Sequence, residues 1–183
     1  LAGEAATRER RLEELFDTCA GPVRRYLLRR GAGDEADDLL AEVFVVAWRR
    51  LDAIPPEAEL PWLYRTAWNV LANHRRLTRA TAMEDADGLE PDFAGAIADR
   101  LLLLEAWRSL SDRDREILRL VAWEGVDGRG LAEALGIGVG GAGAALSRAR
   151  AALATAWRAA EAGGKNRAPG DTRGMQARSE DPR

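Results

Sequence analysis

Cysteine and histidine are almost missing from this chain, which has one of each, Cys19 and His74, among 183 residues. One cysteine excludes an internal disulfide framework and a cysteine-based metal cluster. One histidine removes most histidine-based catalysis and metal binding. No apolar run approaches the roughly 20 residues that span a bilayer, and Leu1 to Arg11 is too charged to read as a secretory signal. These absences predict a cytoplasmic chain with no membrane insertion, no metal, no cofactor and no catalytic residue. The alternating patterns of strands are absent too. Helical periodicity runs through the sequence and predicts an all-α fold.

Charge is nearly balanced, at −3 overall, but it is unevenly placed. Residues 1–80 carry 13 basic and 13 acidic groups, whereas residues 81–99 carry six acids and no base. Residues 100–162 have nine basic and eight acidic groups, and residues 163–183 have five against three. A free-standing DNA binder usually shows a basic surplus, so nucleic-acid contact here is expected to be local or assisted by a partner.

Two helical blocks stand out. In the first, a helix over 12–30 offers Leu15, Phe16, Val23, Tyr26 and Leu27 to a core, with Pro22 as an interruption or kink. Gly31 to Gly33 breaks the chain, and Asp34 is the expected N-cap of a helix running to about Leu51. Leu39, Leu40, Val43, Phe44, Ala47, Trp48 and Leu51 fall on its apolar face. A loop from Asp52 to Leu60 leads to a third helix, with Pro61 in its first turn and an end near Arg79. The stretch 81–99 reads as an acidic flexible linker. In the second block, a helix over 100–110 precedes one opened by Ser111 with capping-box spacing and closed by Gly125. A short helix over 128–135, a glycine turn over 136–138 and a long helix over 140–160 form the outline of a helix-turn-helix. The expected organisation is two small helical domains, 1–80 and 100–162, joined by the linker, with a disordered tail over 163–183.

At about 100° per residue, Trp62, Arg65, Asn69, Asn73, Arg76 and Arg79 collect on one side of the third helix. Guanidinium groups, amides and an indole together suit single-stranded or melted DNA, where bases stack on aromatics beside positive charge. The same face also reads as ordinary solvated surface with the indole merely packing. His74, on the opposite apolar side, reads as a satisfied core histidine, and Cys19 as a core residue. On the second helix the polar stripe Asp38, Glu42, Val45, Arg49 contains an apolar residue where water is expected. A partner surface explains that valine, and so does incidental exposure. The carboxylates Asp34, Glu35, Asp37, Asp38 and Glu42 also read as a metal-binding cluster, but acids at a helix N-terminus are accounted for by the macrodipole they oppose.

Together these segments resemble a family. Asp37-Asp38-Leu39-Leu40-Ala41-Glu42-Val43-Phe44-Val45-Val46-Ala47-Trp48-Arg49 is similar to the polymerase-docking helix of bacterial sigma factors. Pro61-Trp62-Leu63-Tyr64-Arg65-Thr66-Ala67-Trp68-Asn69-Val70-Leu71-Ala72-Asn73-His74-Arg75-Arg76 is similar to their promoter-melting helix. Leu110 to Leu118, Trp123-Glu124-Gly125 and Leu146-Ser147-Arg148-Ala149-Arg150 are similar to their C-terminal DNA-binding domain. Length and order fit the extracytoplasmic-function group of the sigma-70 family. The resemblance implies a non-enzymatic transcription initiation factor whose partners are core RNA polymerase, promoter DNA and an anti-sigma factor. It implies polymerase docking by Asp38, Glu42, Val45 and Arg49, and minus-ten DNA contact by Trp62, Arg65, Asn69, Asn73, Arg76 and Arg79. Residues 52–60 would receive a flipped-out base, and residues 81–99 would thread towards the RNA path.

The second domain departs from the family pattern. The recognition helix opens Gly138-Val139-Gly140-Gly141-Ala142-Gly143-Ala144-Ala145, with no side chain able to hydrogen-bond a base edge. Helical glycines cost about 0.8–1 kcal/mol each relative to alanine, so a frayed start and relaxed minus-thirty-five reading are expected. Ser147, Arg148 and Arg150 remain for phosphate contact there. The rival readings are a stand-alone helix-turn-helix regulator and a module that binds polymerase or an anti-sigma factor without opening promoters.

Overall fold

The first helix stops where a left-handed residue turns the chain. In the computed structural model, which describes residues 2–79 and 97–165, α1 (Ala2–Arg29) is followed by Gly31 at φ 79°. Gly31 donates its own N–H to the Leu28 carbonyl, and Arg30 and Ala32 on either side donate to Leu27, a turn that an L-side chain at that φ would oppose. A 3-10 turn, Gly33–Glu35, then leads into α2 (Ala36–Arg49). Asp34 therefore lies inside this turn and does not cap α2, whose N-cap is Glu35 without a side-chain hydrogen bond. Another 3-10 turn, Leu51–Ala53, buries Leu51 before α3 (Glu59–Arg79), where Pro61 sits in the first turn as expected.

Helix α1 begins ten residues before the apolar pattern does. Its first turns are held by polar contacts: Arg8 pairs with Asp52 and donates to the Trp48 carbonyl, and Arg11 donates to the Ile54 carbonyl at 2.9 Å. The helix also continues through Pro22. Proline removes one backbone donor, but Cys19, Val23, Tyr26 and Leu27 around it are all buried, so packing holds the helix there. Two residues expected in the core stand partly outside it. Phe16 is 47% exposed and meets Phe44 edge-on, with ring centroids 4.9 Å apart. Trp48 is exposed beneath the Arg8 guanidinium, 5.3 Å from its ring.

The remaining helices are α4 (Ile97–Arg108), α5 (Asp112–Ala122), α6 (Gly128–Leu135) and α7 (Val139–Lys165). Ser111 caps α5 as its spacing predicts, accepting the Asp114 N–H at 3.1 Å. Asp127 caps α6 in the same way, accepting from Gly130 at 2.7 Å. Gly136, at φ 65°, ends α6, and α7 leaves at 94° to it, within the helix-turn-helix range. The all-α expectation holds, with no strand among the described residues. Most of the expected linker and tail, residues 80–96 and 166–183, lie outside the described residues. Residues 97–99 and 163–165, assigned to linker and tail from sequence, are helical.

Helices α1, α2 and α3 pack pairwise into one bundle, and α4, α5 and α6 pack on α7 in another. The two bundles do not stand apart. Helix α6 lies along α3, and one continuous apolar core runs from Leu15 through Leu71 to Ile117, Leu131 and Ala149. The expected frayed start of α7 is not observed: the helix begins at Val139 and includes Gly140, Gly141 and Gly143. Ala142, Ala145 and Ala149 are buried on one face, and this packing offsets the low propensity of the outward glycines.

Glycine substitutions test this account. A β-carbon at Gly140 or Gly143 would meet nothing within 4 Å, so alanine there should stabilise the chain by about 0.5–1 kcal/mol each in urea titration. A loss at either position would mean the helix start is not formed. At Gly136 the positive φ and an Arg65 atom 3.3 Å away make alanine unfavourable, by about 1–2 kcal/mol.

Cys19 supplies a second test. Burial, helped by the Glu59 carboxylate, pushes its thiol from 9.0 up to about 11. The folded chain then holds that proton more tightly than the unfolded chain, so this contribution to stability is lost as pH rises through 9 to 11. Iodoacetamide at pH 8 should modify native Cys19 at least about tenfold more slowly than the urea-unfolded chain. Equal rates would contradict the buried placement.

Candidate nucleic-acid and polymerase interfaces

Helix α2 turns its apolar side to α1 and α3, burying Leu39, Leu40, Val43, Phe44 and Ala47. That rotation leaves Asp38, Glu42, Val45 and Arg49 exposed along the opposite side, so all four predicted docking residues form one strip. Val45 is 48% exposed in the middle of it. Beside the strip, Arg24 meets both Asp37 carboxylate oxygens with one guanidinium edge, through Nε at 2.6 Å and a terminal nitrogen at 3.2 Å, which holds the Asp37 carboxyl below its usual range and links α2 to α1 at the surface.

Helix α3 divides the predicted DNA face in two. Asn69, Asn73 and Arg76 are exposed together, and Arg76 donates to the Asn73 amide oxygen at 2.7 Å. The N-terminal half differs, because α6 crosses it. Trp62 is only 4% exposed, so its expected place on an open polar face is corrected here to a buried one. Arg65 is half-buried and pairs with Glu133 of α6 at 2.9 Å. Arg79 ends α3, and its side chain lies outside the described residues. His74 is likewise not a fully buried core histidine: it is partly buried at the edge of the bundle, with Nε2 2.5 Å from a Glu35 carboxylate oxygen.

In the second bundle Ser147, Arg148 and Arg150 are all exposed on α7, two to three turns after its start. The preceding exposed surface is made by Val139, Gly140, Gly141, Gly143 and Ala144, which leaves smooth backbone where a reading helix would carry side chains. Among the described residues no group of three or more His, Cys, Asp or Glu side chains could hold a metal ion.

A buried polar cluster was not foreseen from the sequence. Arg30, 1% exposed at the C-terminal end of α1, forks onto Glu116 of α5 through Nε at 2.8 Å and a terminal nitrogen at 3.0 Å. Its other terminal nitrogen donates to Glu124 at 2.9 Å, and Arg29 pairs with Glu124 as well. Tyr26 donates its hydroxyl to Glu116 at 2.9 Å and lies flat under the Arg30 guanidinium, 3.4 Å from its ring centroid. Tyr64 of α3 stacks on Tyr26 at 4.8 Å. Burial and the neighbouring Glu116 charge drive the Tyr26 hydroxyl well above its ordinary range. Burial with the Glu124 charge pushes Tyr64 to about 12. Burial alone would lower the Arg30 pKa, but Tyr26 and the two carboxylates more than reverse it. The partners are 86 to 95 residues apart in the chain, so helical periodicity contains no sign of their meeting.

Comparison with known proteins places these features in a family. The model for Sigma-70 region 2 matches residues 15–81, and that for Sigma-70, region 4 matches residues 100–153. The chain is 29% identical over 147 residues to the ECF RNA polymerase sigma factor SigL of Mycobacterium tuberculosis, spanning 75% of this chain and 83% of that protein. Its fold is similar to that of the Bartonella quintana sigma factor RpoE in complex with the anti-sigma factor NepR, with a TM-score of 0.57 at 19% identity over 80% of this chain and 96% of that one. It is also similar to CnrH in complex with the cytosolic domain of CnrY, with a TM-score of 0.56 at 23% identity over 86% and 94% of the two chains. Two region matches in the family's order lead to one assignment: the chain belongs to the sigma-70 family of RNA polymerase sigma factors, in its extracytoplasmic-function group.

Proposed function

We propose that this chain initiates transcription by binding core RNA polymerase through the α2 strip and opening promoter DNA with the exposed part of α3. Residues 1–80 are then the polymerase-docking and promoter-melting domain, and residues 100–162 the helix-turn-helix domain. Residues 81–99 form the acidic linker that occupies a basic channel until RNA displaces it, and 163–183 a tail. The observation that carries the reading is Val45, an exposed apolar side chain between Glu42 and Arg49 on a helix whose other side is fully committed to the core. An isolated valine gains nothing from water there, whereas a partner surface desolvates it among complementary charges.

Asn69, Asn73 and Arg76 supply amides and a guanidinium to the displaced minus-ten strand, and Arg65 and Arg79 extend the path along the helix. Trp62 supplies a stacking surface once it is uncovered. The loop before α3 takes the flipped base. Ser147, Arg148 and Arg150 hold phosphates at the minus-thirty-five element with little discrimination between sequences, since the turns before them have no base-reading side chain. The chain acts in the cytoplasm by binding alone, with no catalytic residue of its own, and an anti-sigma factor holds it off by covering the docking strip.

Labelled chain should bind core polymerase tightly, and Val45→Glu should weaken that binding at least about tenfold, as expected for a central interface residue turned into a charge. Absence of binding by either would contradict the proposal.

Promoter opening offers a separate readout. With core binding unchanged, Asn69→Ala, Asn73→Ala and Arg76→Ala combined should cut open-complex formation at least about tenfold. Scrambling the minus-thirty-five sequence should change it much less than scrambling the minus-ten sequence. Strong dependence on the minus-thirty-five sequence would overturn the relaxed-reading part.

A further inference from the structure

The first turns of α1 add nothing to the core, yet they reach the segment that precedes the proposed DNA helix. None of residues 3–14 is buried, and the buried residues of α1 start at Leu15. Within those turns Arg8 and Arg11 stand one turn apart on the same face. Arg8 pairs with Asp52, donates to the Trp48 carbonyl at 3.2 Å and lies 5.3 Å from the Trp48 ring. Arg11 donates to the Ile54 carbonyl at 2.9 Å. The two side chains thus reach 40 to 44 residues along the chain, to the end of α2 and the beginning of residues 52–60.

That segment has few means of holding itself. Leu51 and Ile54 anchor it inward, at 0% and 2% exposure, while Asp52, Ala53, Pro56 and Glu57 face solvent. Pro55 and Pro56 have no N–H to donate, so part of this backbone cannot be fixed by hydrogen bonds of its own. The Trp48 carbonyl lies in the last turn of α2, where carbonyls have no partner within the helix and a cation is favoured. Charge matters as much as shape. The Asp52 side chain is 78% exposed, and an unpaired carboxylate there would repel the phosphates of a single strand. Pairing with Arg8 offsets that repulsion. An ion pair as open as this one adds little to fold stability, so its value lies in where it holds the chain.

We infer that Arg8 and Arg11 are positioning residues for base selection: they brace residues 52–60, and through that segment set how strictly the flipped base is accepted. Neither touches DNA. This rests on the reading of the chain as a sigma factor whose loop before α3 takes the flipped base. A site that discriminates among four bases must hold its groups to within about 0.5 Å, and motion of Asp52 and Ala53 would relax it. Asn69, Asn73 and Arg76 begin about three turns into α3, beyond the reach of the brace. Its loss therefore changes base choice at one position and leaves the rest of the minus-ten contact in place.

Full-length chains assembled with core polymerase would be selected on a promoter library randomised over the minus-ten element, with core affinity measured beside it. Arg8→Ala and Arg11→Ala should each lower the preference at one minus-ten position at least about threefold, leaving the other positions and core affinity as in wild type. Arg10→Ala, at an exposed site on the same turns, makes the same charge change away from the segment and should behave as wild type. Exchanging the pair, Arg8→Glu with Asp52→Arg, should restore much of the preference that Arg8→Glu alone removes. Unchanged preference in both alanine variants would overturn the brace. So would a uniform loss across all sequences, the mark of a phosphate contact, or a matching fall in core affinity, the mark of a loosened bundle. A wild-type chain that shows no minus-ten preference, or fails to bind polymerase, would instead remove the sigma-factor reading, and the brace with it.

Discussion

A guanidinium shielded from water has to be met by fixed negative charge, and Arg30 is met by two carboxylates from a different part of the chain. Much of the architecture follows from that requirement. Glu116 and Glu124 lie on α5 and just beyond it, so satisfying Arg30 sets where the second bundle sits on the first. Once α5 is placed, α6 falls along α3 and α7 is carried to the outside, with its basic residues facing solvent. Tyr26 and Tyr64 extend the same cluster from α1 into α3, and so a single polar centre touches both the helix that ends the first turn of the bundle and the helix that carries the proposed DNA face.

Helix α3 serves three surfaces at once. Trp62, Leu63, Ala67 and Leu71 belong to the core, Asn69, Asn73 and Arg76 to solvent, and Arg65 to the contact with α6. Arg75 adds a fourth connection by donating to the backbone carbonyl of Arg30, which ties the far half of α3 to the C-terminal end of α1. The contact with α6 and the presentation of the polar face are therefore joined through one element.

Local rules carried the sequence reading a long way. The capping serine at 111, the glycine at 136 and Pro61 in a first turn each depend on residues within one or two turns, and each was placed correctly, as was the apolar spacing of α2 except at Trp48. The exposed strip of α2 was legible for the same reason, since Val45 breaks a periodicity that extends over a single helix. What failed depends on distant partners. Arg8 and Arg11 extend α1 by reaching the α2–α3 loop, His74 leaves the core to meet Glu35, and Trp62 is buried in the half of α3 that α6 crosses. The fraying expected for α7 counted propensity but not the alanine face packed beneath the glycines. The Arg30 cluster is the clearest case, because two charged residues at a helix end look like solvated surface until the fold brings their counterions.

The glycines of α7 have a consequence for how such a protein can change. Its inner face is set by the buried Ala142, Ala145 and Ala149, while the outward positions 140 and 143 border open space. The framework of the helix and its reading surface are thus decoupled. Side chains that pair with base edges could be installed on the outside without repacking the inside, which makes this helix a nearly blank head on which a new promoter preference could be written.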